Sequence, residues 1–203
     1  MRAVVLNCSL KSGSNPSNTQ LLADSVIAAL TQRGVESRVF RIADLAVPPG
    51  VETDLGDGDE WPQVHEALLS AEILVVATPT WVGRPSSIAQ RVLERMDAMI
   101  SETTPEGLPV AYNKVAGVVI TGNEDGAHHI VGTTIQSLID IGFSAPGHGW
   151  TYWHLGPGAG PDYLEDSKGH AWSDRVGRNA AHNLMALAKA LKAAPLPKPE
   201  MES

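Results

Sequence analysis

Between an apolar run at Ala3, Val4, Val5 and Leu6 and a helical spacing of Leu22, Val26, Ala29 and Leu30 lies a short polar loop. The run reads as a buried strand and the spacing as an amphipathic helix. Ser17, with Gln20 three residues on, has the pattern of a capping box and predicts the helix start. A strand that passes through a polar loop into a helix builds an anion site. The first helical amides have no intrahelical partner, and the helix dipole adds partial positive charge. Ser9, Ser12, Ser14, Ser17 and Thr19 supply hydroxyls, and Asn15 and Asn18 supply amides. That is more than capping one helix requires, although capping alone is the plain alternative.

The loop has no G-x-x-x-x-G-K-[ST] and no G-x-G-x-x-G, which excludes a nucleotide P-loop and the dinucleotide fingerprint. Hydroxyls and amides with a single lysine, Lys11, suit a monophosphate such as that of a flavin mononucleotide.

Strands are expected at 2–8, 36–42, 72–78, 115–121 and within 143–152; helices are expected from 17 to about 33 and at 61–70, from Ser86 or Ser87 onward, 130–141 and 173–192. Alternating strands and helices predict a doubly wound α/β sheet, with ligands outside the carboxyl ends of its strands. The polar, glycine-bearing loops after the first, third and fourth strands all fall at those ends. Residues 43–60, rich in proline, glycine and acid, read as a solvated acidic connection, with partner docking as the alternative. Pro157, Gly158 and their neighbours from 156 to 161 form a glycine-rich loop of the kind that often serves as a lid or flap.

At 203 residues the chain fits one domain, assigned to 1–193, with a disordered tail at 194–203. A formal charge of −8 argues against nucleic acid and anionic membrane as partners. No apolar run has membrane-spanning length, and no signal-peptide pattern opens the chain. The single cysteine, Cys8, excludes an internal disulfide and fits a reducing cytoplasm. His128 and His129 have no third partner at zinc-site spacing, so no metal is expected.

The motifs resemble those of the NAD(P)H-dependent FMN reductase family of flavodoxin-like proteins. Residues 7–19 look like its phosphate loop, N-G-S-x-R followed by a small residue, Asn and Thr. Residues 78–87 look like its isoalloxazine loop, and 121–128 like its third flavin loop; residues 156–163 are similar to a segment found in a subgroup. Cys8 stands where glycine is common, and Lys11 where arginine is common; lysine cannot fork onto a phosphate as arginine does.

The resemblance implies a five-stranded parallel sheet of order 2-1-3-4-5 with helices on both faces. It implies FMN as cofactor and NADPH or NADH as reductant. Ser9, Ser17, Asn18 and Thr19 would hold the phosphate, with Lys11 close by. Pro79, Thr80, Trp81, Val82 and Gly83 would meet one side of the flavin ring; Gly122, Asn123, Asp125, Gly126 and His128 would meet the other. No catalytic side chain is implied, because the cofactor carries the hydride chemistry. The expected activity passes hydride from NAD(P)H through bound flavin to a quinone, flavin or other small acceptor, in a homodimer or homotetramer. A flavodoxin-type electron carrier without substrate turnover is the alternative, and the acidic surface favours it.

Overall fold

Five strands carry the sheet: β1 (Arg2–Asn7), β2 (Glu36–Arg41), β3 (Ile73–Trp81), β5 (Val115–Thr121) and β6 (Trp150–Trp153). A two-residue strand, β4 (Arg84–Pro85), folds back on the end of β3. The helices are α1 (Asn18–Thr31), α2 (Trp61–Ser70), α3 (Ser87–Met96), α4 (Ala127–Ile141) and α5 (His170–Ala193). The structure is a computed structural model that describes residues 1–156 and 160–198. The five strands are parallel in the order β2-β1-β3-β5-β6. With the β4 hairpin set aside, this is the expected 2-1-3-4-5.

Period-two alternation divides the core. Val4, Leu6, Leu74 and Val76 face α2 and α3, where they meet Trp61, Val64, Leu68, Val92 and Met96. Ala3, Val5, Ile73 and Val75 face α1 and α5, where they meet Leu22, Val26, Leu30, Ala181 and Leu184. Gly177 lets α5 approach closely, since a Cβ there would lie 2.9 Å from Ser25 Oγ and 3.2 Å from Val26. Among the described residues no helix is long and apolar enough to cross a membrane.

Several boundaries differ from the sequence reading. β3 runs on to Trp81 because it pairs with β4 around Val82 and Gly83, whose φ angles of 52° and 69° make a two-residue hairpin turn. α4 begins at Ala127 rather than 130, because Gly126 at φ 126° turns the chain directly into the helix. β6 is confined to Trp150–Trp153; before it only a single bridge, Val115 to Ser144, joins this stretch to β5. α5 starts at His170, one turn early. Of the tail, Leu196 N donates to Asn113 Oδ1 at 2.7 Å, and residues 199–203 lie outside the described residues.

The sheet edges are protected in different ways. β2 carries Glu36, Arg38 and Arg41, and Arg38 lies 4.3 Å over the Phe40 ring. At β6, the Gly149 and Trp153 carbonyls accept from β5 and its following residue, so the Tyr152 carbonyl points away from the sheet. Ser173 Oγ donates to it at 2.8 Å, and Thr151 Oγ1 donates to Ser173 O at 2.7 Å.

The acidic connection is not simply solvated. Arg95 of α3 is fully buried, and its guanidinium grips Asp59 with contacts of 2.6 and 3.1 Å. It also donates to the carbonyls of Pro48 (3.1 Å), Glu52 (2.9 Å) and Thr53 (3.3 Å). One charged side chain therefore pins the whole connection to the core. Removing one partner of such a pair strands the other charge. Arg95→Ala should lower unfolding free energy by about 3–5 kcal/mol in urea titration. Burial alone would raise the Asp59 pKa, but Arg95 and the amides of Trp61 and Leu55 hold it below 3.8. The folded value is thus below the unfolded one, so this stabilisation is complete at neutral pH. It is lost as pH falls below about 4 through the folded value. Asp59→Asn should flatten that acid limb of the stability curve.

Candidate cofactor site

The register brings the strand ends level. Asn7 stands opposite Ala77, Pro79 opposite Thr121, and Thr121 opposite Trp153. Loops from β1, β3 and β5 therefore leave the sheet side by side, and buried polar groups tie them together. Asn7, fully buried, accepts from Ser9 N and donates to Gln20 Oε1, both at 2.9 Å. Ser9 Oγ accepts from Lys11 N at 3.2 Å. Ser86 caps α3 by accepting from Ala89 N (3.1 Å) and donates to Cys8 O (2.6 Å), which joins the first loop to the second. Thr19 and Thr121 share a buried hydroxyl contact of 2.8 Å, which joins α1 to β5.

Ser17 is the N-cap of α1, and its Oγ accepts from Gln20 N at 3.1 Å. The reciprocal arm of the capping box is absent, because Gln20 turns its side chain to Asn7 and Asp24. The Asn18 and Thr19 amides, first in the helix, have no intrahelical acceptor by position. At the tip of the loop Gly13, at φ 60°, donates to Asp44 Oδ1 at 2.6 Å. Arg41 donates to the carbonyls of Gly13 and Asn15.

These loops line a cleft that is partly open to solvent. Of the expected residues, Ser9, Lys11, Asn18, Thr19, Pro79, Thr80, Trp81, Gly122 and Asn123 line it. Gly122 is required there, since a Cβ would lie 2.7 Å from Thr80 Cβ. Ser17 sits buried at the helix cap. Val82 and Gly83 form the hairpin tip, where Val82 is 90% exposed and Gly83 N donates to Glu124 Oε1 at 3.3 Å.

Asp125, Gly126 and His128 line a separate cavity with His129, Tyr152 and His154. His128 meets Tyr152 edge-on at 5.2 Å, and Arg84 contacts His129 Nε2 at 2.5 Å. Among the described residues no group of three His, Cys, Asp or Glu side chains is placed to hold a metal. Cys8 is packed beneath the first loop, and burial pushes its thiol pKa up.

Thr121, Trp153, Asp162 and Tyr163 also line the main cavity. Trp153 and Tyr163 are both buried, whereas Trp150 and Tyr152, on alternate positions of β6, are only partly so. Trp153 meets Tyr163 edge-on at 5.3 Å, and Tyr163 stacks on His170 at 3.7 Å. Burial, then the nearby Asp174, pushes the Tyr163 pKa up to about 12, so its phenol stays protonated at neutral pH. The segment 160–165 crosses the cavity mouth. Leu164 N donates to Asn18 Oδ1 (3.0 Å), and Asn123 Nδ2 donates to Gly160 O (3.1 Å).

Residues 1–156 match the family model described as NADPH-dependent FMN reductase. The chain belongs to this family. A Streptomyces davaonensis relative, 8-demethyl-8-aminoriboflavin-5'-phosphate synthase, is 35% identical over 96% of this chain and 80% of its own length. A crystal structure of RosB with the bound intermediate 8-demethyl-8-formylriboflavin-5'-phosphate is 33% identical. It superposes with a TM-score of 0.88 over 97% of this chain and 82% of that one. A flavodoxin from Streptococcus pneumoniae, 16% identical, shares the fold with a TM-score of 0.56 over 92% of this chain and 99% of its own. The family and the flavodoxin-like sheet thus agree with the resemblance and the strand order expected from the sequence.

Ser86→Ala should leave Cys8 O and Ala89 N without their buried partner and lower stability by about 1–3 kcal/mol, read from the urea midpoint at constant slope.

Proposed function

We propose that the chain binds riboflavin 5'-phosphate (FMN) in the main cavity. In this reading it acts as an FMN-dependent oxidoreductase. It takes hydride from NADPH or NADH and passes electrons to a quinone, a flavin or another small acceptor. The observation that carries the reading is the convergence of three strand-end loops on one cavity, with a serine- and asparagine-rich helix start at one side. The residues fit the group. Free helical amides, the Asn18 amide and Lys11 suit a phosphate, and the contact of Gly122 with Thr80 leaves backbone at the cavity wall.

When bound, the flavin supplies the two-electron chemistry. The protein binds and orients it. Lys11 and the α1 amides neutralise the phosphate. Pro79 and Thr80 on one side, and Gly122 and Asn123 on the other, fix where a ring can lie. Trp81, about half exposed at the cavity lip, leaves one approach open to a second substrate. Tyr163 stays protonated and contributes no base. The expected setting is the cytoplasm, as a homodimer or homotetramer.

A second reading is favoured by the 35% identical synthase: the flavin phosphate is itself the substrate and leaves chemically altered. The two readings differ in what happens to the flavin. Purified protein should be yellow, should bleach on anaerobic addition of NADPH or NADH, and should recover colour with a quinone. The flavin mass should be unchanged after many turnovers. A changed mass would favour the second reading; no consumption of either nicotinamide with any acceptor would sink the first and leave an electron carrier. Lys11→Ala and Asn18→Ala should each weaken FMN binding by roughly 1.5–3 kcal/mol, the range for a hydrogen bond to a charged group. Riboflavin, without the phosphate, should bind the Lys11 variant as it binds the parent. Both affinities can be read from quenching of flavin fluorescence.

A further inference from the structure

Beside the main cavity lies a second, more open one, between the α1 start and the crossing segment. Asn15, Pro16, Leu164 and Glu165 line only this second cavity. Lys11, Asn18 and Asp162 line both, so these three form the neck between them. A ligand with its phosphate on Lys11 and Asn18 at this neck, and its ring among the strand-end loops, has its linking chain on the main-cavity side of the neck, which Asp162 also lines.

The neck groups differ in what they can offer. Lys11 can only donate. The Asn18 carbonyl oxygen already accepts from Leu164 N at 3.0 Å, which leaves its NH₂ group to donate. The acceptor there is the Asp162 carboxylate. Its position is set from both sides: Asp162 N donates to Glu165 Oε2 at 3.0 Å, and Asn123 Nδ2 lies 3.4 Å from Asp162 Oδ1. Asp162 Oδ2 has no protein partner among the described residues. An ionised carboxylate beside a phosphate would repel it, whereas hydroxyl groups are its natural complement.

We propose that Asp162 is a specificity-determining residue whose carboxylate accepts hydrogen bonds from the polyol chain that links ring to phosphate in a flavin 5'-phosphate. This rests on the flavin-phosphate reading above. It assigns recognition of the hydroxylated chain to the crossing segment, apart from recognition of the phosphate by Lys11 and the α1 start. Glu165, the other acid of the segment, faces the open cavity and holds the Asp162 amide.

The test measures dissociation constants by fluorescence quenching for FMN, riboflavin and lumiflavin, which has the ring but a methyl group in place of the polyol. Asp162→Ala should weaken FMN and riboflavin by similar factors, about tenfold or more, and leave lumiflavin unchanged. Asp162→Asn, which keeps an acceptor oxygen without the charge, should recover part of that loss. It also carries the comparison should the alanine variant fail to fold. Equal weakening of all three flavins would overturn the proposal, because it marks a purely structural role for the segment. Unchanged or tighter FMN binding would overturn it too, because the carboxylate would then only oppose the phosphate. If the parent protein binds none of the three, the flavin reading itself falls, and this inference with it.

Discussion

Parallel pairing of β3 with β1 on one side and β5 on the other is the constraint from which the rest follows. Both edges of β3 are consumed by neighbours and both faces by helices, so Ile73 to Ala77 must be apolar throughout. Parallel strands all point the same way, and their loops emerge along one rim. Polar residues that would burden the interior can gather there because each finds a partner on its own or an adjacent loop. Ser86 reaches Cys8 O, Thr19 reaches Thr121, and Asn7 reaches back to Ser9 and Gln20. The rim is thus a set of mutually braced turns, and its concavity is a by-product of the sheet.

The electrostatics of that rim run against the overall charge. A chain of formal charge −8 does not draw anions by its long-range field. Nor is the first loop strongly cationic. Arg41 is occupied by the carbonyls of Gly13 and Asn15, and Asp44 has taken the Gly13 amide. What remains for an anion is Lys11, local hydroxyls and the oriented amides of the α1 start. Such fixed dipoles act only at short range, so they distinguish a ligand by fit more than by charge.

The sequence disclosed some of this better than the rest, for physical reasons. The strand, loop and helix from Arg2 to Thr31 were legible because apolar run, cap residue and helical period agree with one another. The β3–β4 hairpin was not. Its turn needs positive φ at Val82, a branched residue that normally resists it, so nothing in the letters suggested a two-residue turn. The Arg95 clamp was also hidden. An arginine on an amphipathic helix reads as surface, and its partner Asp59 lies 36 residues away in an apparently solvated stretch. The two halves of the third loop separate for a similar reason. Gly122 and Asn123 face the main cavity, while His128, the second residue of α4, faces Tyr152. Helical phase at an onset that is itself uncertain by a few residues cannot decide such a direction.

The way Ser173 seals β6 bears on how molecules of this protein can meet. An open strand margin invites a foreign strand to extend the sheet, the usual seed of runaway polymerisation. Here the outward carbonyl of Tyr152 is already spoken for by a hydroxyl from the first turn of α5, while the opposite margin bristles with charge on β2. Backbone zippering is thereby opposed at the Tyr152 carbonyl on one margin and by charge along the other.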